Sequence, residues 1–296
     1  MGSCFSSKPE HVRYEETATR ALSHSADQAI YWYNRSLKVK LKKPEIFTVS
    51  IGKTYLLLGT IYAGKKKNYD LAIKHFKKAL SYLEHDDKRN FALCYFLLGD
   101  CYVKQGSFSA AYDNMEISLD LRIKYFGEDD YETVMSLCGL GFVAKADGNY
   151  DLSFKYYARA RKILAQLPPN RAQMEMRSVI EEANFKGQEK DYVDLSIKKA
   201  TALLQPDIAQ VCFFLGELAL RVDLTVKAFA YFNKMFDYLK KHHGEKLNYY
   251  EIFESQANQL RKLAQEFPED EDNIEKLISY WRDQPGENPV LIIDDD

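Results

Sequence analysis

Proline and glycine are sparse, at 8 and 14 of 296 residues, too few to punctuate a fold of short strands and tight turns. Long apolar runs are missing as well: none approaches the roughly 20 residues a membrane-spanning helix needs. The first residues lack the apolar core of a secretory signal, so the five cysteines are expected in a reducing compartment, without disulfides. Cys94 and Cys101 share a helix face, but seven residues of helix set their Cα atoms about 10 Å apart, beyond disulfide reach. With Cys138 and Cys212 they read as small core residues. No glycine-rich phosphate loop, Cys-x-x-Cys or His-Glu-x-x-His appears. His242 and His243 are neighbours and would point about 100° apart on a helix, a poor arrangement for one metal. Glu181-Glu182 and Glu269-Asp270-Glu271-Asp272 have no paired base or nucleophile. No catalytic residue, cofactor, metal or small-molecule substrate is therefore expected.

What is present favours helix. Ala, Leu, Lys, Glu and Tyr are plentiful, and 46% of the residues are hydrophobic, enough for a sizeable core in an all-α protein. Self-similarity organises the chain. Leu58-Gly59 with Tyr62, Leu98-Gly99 with Tyr102, Leu140-Gly141 with Ala144, and Leu215-Gly216 with Ala219 each lie in a predicted helix. About a dozen residues after each glycine a small residue opens a second helix: Ala72, Ala111, Ser153 and Ala228. Large and small residues then alternate at helical spacing, as in Ala72, Phe76, Ala79 and in Ser153, Tyr157, Ala160. A glycine on the first helix lets the second approach, and an aromatic from the second fills the gap. The turns Gly106-Ser107-Phe108 and Gly148-Asn149-Tyr150 supply a glycine stop and an anchoring aromatic.

Together these residues resemble the tetratricopeptide repeat (TPR) family. The resemblance implies a right-handed superhelix, an α-solenoid of about six helix pairs. Two weaker pairs, around Ala29, Tyr33, Ser36 and around Ser196, Ala200, Leu203, complete the array. Helices over 249–267 and 271–283, broken at Pro268, cap it. The expected organisation is a lipid-anchor segment at 1–8, a helical repeat domain at 9–284 and an acidic tail at 285–296. The run Leu121-Arg122-Ile123-Lys124-Tyr125-Phe126-Gly127-Glu128-Asp129-Asp130 is similar to the junction between repeats of kinesin light chain, although the asparagines that line the first helices of that group are lacking here. In TPR arrays the first helices line the concave face. The resemblance then places Lys53, Leu56 and Thr60 there, followed by Phe96, Asp100 and Lys104, by Cys138, Phe142 and Lys145, and by Phe213, Glu217 and Arg221. A groove with a phenylalanine in three repeats suits an apolar or amphipathic segment of another protein, in an interaction that salt would weaken only mildly. The same rings also suit a core. The carboxylate clamp of chaperone-binding repeats is missing, because Leu56, Thr60, Leu97, Met135 and Gly139 stand at its positions. The stretch Val290 to Ile293 reads either as solvated tail or as an internal occupant of the groove.

Charge is lopsided. Residues 1–89 hold 17 Lys/Arg against 9 Asp/Glu, a net of +8, and residues 90–296 a net of −10. The opening Met1-Gly2-Ser3-Cys4-Phe5-Ser6-Ser7-Lys8 fits the N-myristoylation pattern at Gly2, with Cys4 placed for palmitoylation. A single acyl chain anchors weakly, and Lys38, Lys40, Lys42, Lys43, Lys65, Lys66 and Lys67 are expected to add attraction to an anionic membrane. The expectation is a membrane-tethered adapter. A soluble cytosolic adapter without lipid is the alternative, and an RNA-binding helical repeat is disfavoured by the acidic remainder.

Overall fold

The computed structural model describes residues 8–167, 207–221, 224–243 and 249–283. Among these residues the chain forms twelve α-helices and no strand. They are α1 (Glu10–Ala21), α2 (Ala26–Lys40), α3 (Pro44–Gly64), α4 (Tyr69–Leu83), α5 (Lys88–Lys104) and α6 (Phe108–Phe126), then α7 (Tyr131–Ala146), α8 (Tyr150–Gln166), α9 (Ile208–Arg221), α10 (Thr225–His243), α11 (Tyr249–Ala264) and α12 (Glu271–Asp283). Short polar side chains start many of them by accepting from an otherwise unpaired backbone N–H. Asn68 caps α4 through Leu71 N (3.1 Å), Asp87 caps α5 through Asn90 N (3.1 Å), and Asn149 caps α8 through Leu152 N (3.1 Å).

Within each hairpin the predicted glycine is a close contact. A Cβ at Gly59 would lie 2.5 Å from the Phe76 ring, at Gly99 2.7 Å from Met115, at Gly141 2.8 Å from the Tyr157 ring and at Gly216 2.3 Å from the Phe232 ring. Ala72, Ala111, Ser153 and Ala228 are wholly buried beside them, and Ser153 Oγ donates to Gly141 O at 2.7 Å. Hairpins then stack, α2 on α3, α4 on α5, α6 on α7 and α8 on α9. First helices of successive hairpins also touch, α3 with α5 and α5 with α7, more closely than the second helices do. The stack therefore curves with its first helices on the inside, as in an α-solenoid.

Helix α3 is long and apolar enough to cross a membrane by length and composition, a property the short apolar runs of the sequence conceal. Its Ile51, Leu56, Leu57 and Leu58 are wholly buried against neighbouring helices, so its apolar surface is used in packing. The chain returns to the stack at α9 directly against α8, although residues 167–207 intervene. The pair expected around Ser196, Ala200 and Leu203 lies outside the described residues, as do Gly2, Cys4 and the 285–296 tail. The capping helices are present: Phe253, Leu260, Ile274, Ile278 and Trp281 are buried against α10, and Trp281 Nε1 donates to Asn233 Oδ1 at 2.9 Å.

Candidate partner-binding face

The inner row of first helices carries most of the side chains expected to line a groove. At the α5 end, Asp100 and Lys104 stand one helical turn apart. Burial raises the Asp100 carboxyl, while Lys104 and Lys67 pull it back down. Lys104 is exposed and reaches across to α7, its Nζ 5.2 Å from the centre of the half-buried Phe142 ring, within cation–π range. One turn on, Lys145 donates to both oxygens of Glu217 on α9, at 2.9 and 2.7 Å. Arg221 donates to Glu217 Oε1 from Nε (3.2 Å) and Nη2 (2.9 Å), and to Glu266 Oε2 on the capping hairpin at 2.7 Å. A row of cation, ring, cation, anion, cation, anion thus runs from α5 to the turn after α11, with Glu217 buried beneath the cations of Lys145 and Arg221. Glu266 and Phe267, which lies 5.6 Å from the Arg221 guanidinium, were not visible as partners, because only the turn after α11 carries them back.

Two of the three phenylalanines do not belong to that strip. Phe96 and Phe213 are 7% and 8% exposed. Phe96 fills the space above Gly139, where a Cβ would lie 2.7 Å from its ring, and Arg122 covers its other side at 5.3 Å. Phe213 packs at 6.2 Å from Phe232 in the aromatic core of α9 and α10. For Phe96 the physical reason is the missing side chain at Gly139, which draws the ring inward; Phe213 is held instead by its neighbours Phe214 and Phe232. Lys53 is part-buried, 3.8 Å from the Asp87 cap, and Leu56 is core. Phe142 is the one expected ring left on the inner face.

The basic residues divide also. Lys40 is wholly buried, ion-paired with Glu15 and donating to Thr54 Oγ1 at 3.0 Å, while Ser36 Oγ donates to Glu15 at 2.8 Å. It binds α1, α2 and α3 together and cannot face a membrane. Its partner lies 25 positions earlier, where no helical spacing points to it. Lys38, Lys42 and Lys43 are exposed just before α3, and Lys65, Lys66 and Lys67 just after it. A helix of 21 residues separates the two groups by about 30 Å, so they occupy opposite edges of the stack and form no single patch. Lys66 is paired with Asp27 at 2.7 Å.

Cys94, Cys101, Cys138 and Cys212 are free thiols, and burial pushes Cys101 up to about 12 and Cys212 up to about 11, values that suit core packing over reactivity. Among the described residues no group of three or more His, Cys, Asp or Glu side chains is arranged to hold a metal.

Sequence models for the tetratricopeptide repeat match residues 52–82 and 90–166, which span the hairpins of α3 with α4, α5 with α6 and α7 with α8. These stretches are tetratricopeptide repeats. A search by sequence of curated proteins finds no match. Similar solved structures include MamA protein (18% identity, 80% of this chain and 96% of that one, TM-score 0.48) and the apo form of RapI (16%, 81% and 88%, 0.49). BtubC (BKLC) from P. vanneervenii is a third (14%, 98% and 100%, 0.40). The TPR hairpins thus hold Asp100, Lys104, Phe142 and Lys145, while Glu217, Arg221 and Glu266 extend the row beyond the matched residues.

Proposed function

We propose that this chain is a non-catalytic adapter that holds a peptide or amphipathic helix of another protein on its inner face and is tethered to a cytosolic membrane surface through acylation of Gly2, with Cys4 as a second acyl site. The observation that supports the adapter reading is the row of Lys104, Phe142, Lys145, Glu217 and Arg221 along the first helices of a curved TPR stack. Alternating charge with one half-exposed ring suits a segment carrying both charges and one apolar anchor. With Phe96 and Phe213 in the core, charge contributes more of the recognition than three rings would, so binding should weaken appreciably as salt rises.

The test is proximity labelling from a C-terminal fusion, comparing the unaltered chain with Phe142→Asp and with Lys104→Glu/Lys145→Glu. A discrete set of neighbours should disappear in both variants while helical content stays the same. An identical labelled set would remove the inner face as the binding site. The tether is read separately: Gly2→Ala should move the protein from membrane to cytosol, and mass spectrometry of protein from its own cells should find an acylated Gly2.

A further inference from the structure

The turn that joins α2 to α3 exposes two large apolar side chains with little reason to face water. Leu41 is 40% exposed and Ile46 64%. Between them stand Lys42 and Lys43, both exposed and with no ion-pair partner among the described residues, and Lys38 lies one turn back on α2 in the same condition. Tyr31, Arg35 and Lys38 recur at steps of four and three, which is one face of α2, and Lys42 follows in the turn just beyond its end. Arg35 lies over the Tyr14 ring at 5.0 Å and donates to Tyr31 Oη at 3.0 Å. Four cations therefore share this edge with the exposed Glu45, and with Glu10, which accepts from Tyr14.

The N-terminal end of α1 lies at the same edge. His11 stacks edge-on against Phe47, at the start of α3, with ring centres 4.8 Å apart. Five residues lie between Gly2 and Lys8, a reach of at most about 22 Å, so an acyl chain on Gly2 would enter a membrane on the side of Leu41 and Ile46. Lys65 to Lys67, at the far end of α3, would not.

We infer that the α2–α3 turn is an insertion tip for an anionic bilayer, with Leu41 and Ile46 entering the headgroup boundary while Lys42, Lys43, Lys38 and Arg35 meet lipid phosphates. The chemistry is that of interfacial anchors, where a small apolar area and flanking cations act together. Charge complementarity and the shared edge with the N-terminus single out a lipid surface as the occupant. The inference rests on the reading that the adapter works at a membrane, and it replaces a broad basic face with one defined edge.

Full-length protein, unacylated and myristoylated at Gly2, is to be sedimented with vesicles of phosphatidylcholine alone and with about 30% phosphatidylserine. Lys42→Glu/Lys43→Glu should lower binding to the serine-lipid vesicles about fivefold or more for each lysine, whereas Lys65→Glu/Lys66→Glu/Lys67→Glu should change it little. Leu41→Asp/Ile46→Asp should lower binding about tenfold, and the loss should persist at high salt. In Ile46→Trp, brominated lipids should quench the fluorescence added at position 46, read as the difference from the unaltered chain with its own Trp32 and Trp281. Equal binding of the tip variants and the unaltered protein would overturn the inference while leaving the acyl tether standing. A larger loss from Lys65 to Lys67 would place the contact at the opposite edge and overturn it too. Should the myristoylated protein bind neither vesicle, the tether and the tip both fall, and the exposed patch belongs to an acidic protein partner.

Discussion

The joint between α6 and α7 and the joint between α8 and α9 connect similar hairpins by different means. At the first, four residues link the helices, and the interface is sealed by a buried polar cluster. Arg122 is 1% exposed, donates to Ser136 Oγ at 2.8 Å and lies 3.4 Å from Glu132, which Arg89 also approaches at 3.1 Å. Burial pushes the Arg122 guanidinium down to about 10, with Glu132 pulling the other way. At the second joint residues 167–207 intervene, yet α9 still packs on α8. There the first helices α7 and α9 stand further apart than α5 and α7, and long side chains from both hairpins close the joint. Tyr157 meets Phe214 at 5.1 Å, Phe154 meets Tyr231 at 6.0 Å, and Lys145 spans to Glu217. Continuity of the stack thus resides in side-chain complementarity and not in the length of the link.

The largest effect that would expose this difference is expected at Arg122. Arg122→Ala leaves Glu132 buried without its inner partner and opens a hole beside Phe96, which should cost about 3–5 kcal/mol. Thermal or urea unfolding checks it, and a loss below about 1 kcal/mol would show that water already serves the cluster. The hairpins on either side of the second joint share one glycine chemistry, so Gly141→Leu and Gly216→Leu should cost alike, about 1–3 kcal/mol each through overpacking. If only one destabilises, the two regions do not obey the same packing rule. Lys145→Met comes next. Glu217 remains 6% exposed with Arg221 still on it, so the loss should be about 1–2 kcal/mol, and double-mutant cycles with Glu217→Gln would separate the pair from its surroundings.

Much of this arrangement was legible in the residues themselves. Gly59, Gly99, Gly141 and Gly216 announced their close contacts because a glycine in a helix without a turn needs a neighbour to justify it. Phe96 and Phe213 were harder, since one helical spacing serves an inner groove and a core equally, and only tertiary neighbours decide between them: the gap at Gly139 for Phe96 and the Phe232 ring for Phe213. Lys40 sits in a run of lysines that reads as solvated, and its partner Glu15 is a tertiary fact. The two basic clusters look continuous along the chain, but α3 carries them to opposite edges. Leu41 and Ile46 carry no signal in the sequence, because isolated apolar residues near a turn are ordinary until exposure and neighbours are known.

A smaller contrast concerns pH. His75 occupies in α4 the position that Tyr156 and Tyr231 hold in α8 and α10, counted from the neighbouring Phe76, Tyr157 and Phe232. Its ring stacks on Tyr62 at 5.1 Å. Burial, with Lys78 and Lys74 nearby, holds the imidazole down to about 4 against an ordinary value of 6.5. Between pH 6.5 and 4 the unfolded chain therefore takes up a proton that the folded chain refuses, and stability falls as pH falls through that window. Solvent screening limits the loss to about 1 kcal/mol. His75→Phe should flatten the melting temperature across that range, and an unchanged slope would assign the acid sensitivity to carboxylates instead.

The smallest effect distinguishes the first repeat turn from the next two. Gly106 and Gly148 turn the chain with φ of 72° and 81°, whereas Lys67 does the same with φ of 54° and is the one non-glycine residue of positive φ among the described residues. A side chain in the left-handed region costs about 1–2 kcal/mol, while glycine there costs about 0.5–1 kcal/mol more in unfolded-chain entropy. Lys67→Gly should therefore stabilise the protein by about 0.5–1 kcal/mol. Lys67→Ala is the control: it removes the same charge and keeps the strained backbone, so it should not stabilise. If both variants gain equally, the relief comes from lysine repulsion with Lys65 and Lys66, and the backbone of this turn is not under strain. A gain confined to glycine would show that the first turn tolerates a lysine at a measurable cost, one that the second and third turns avoid.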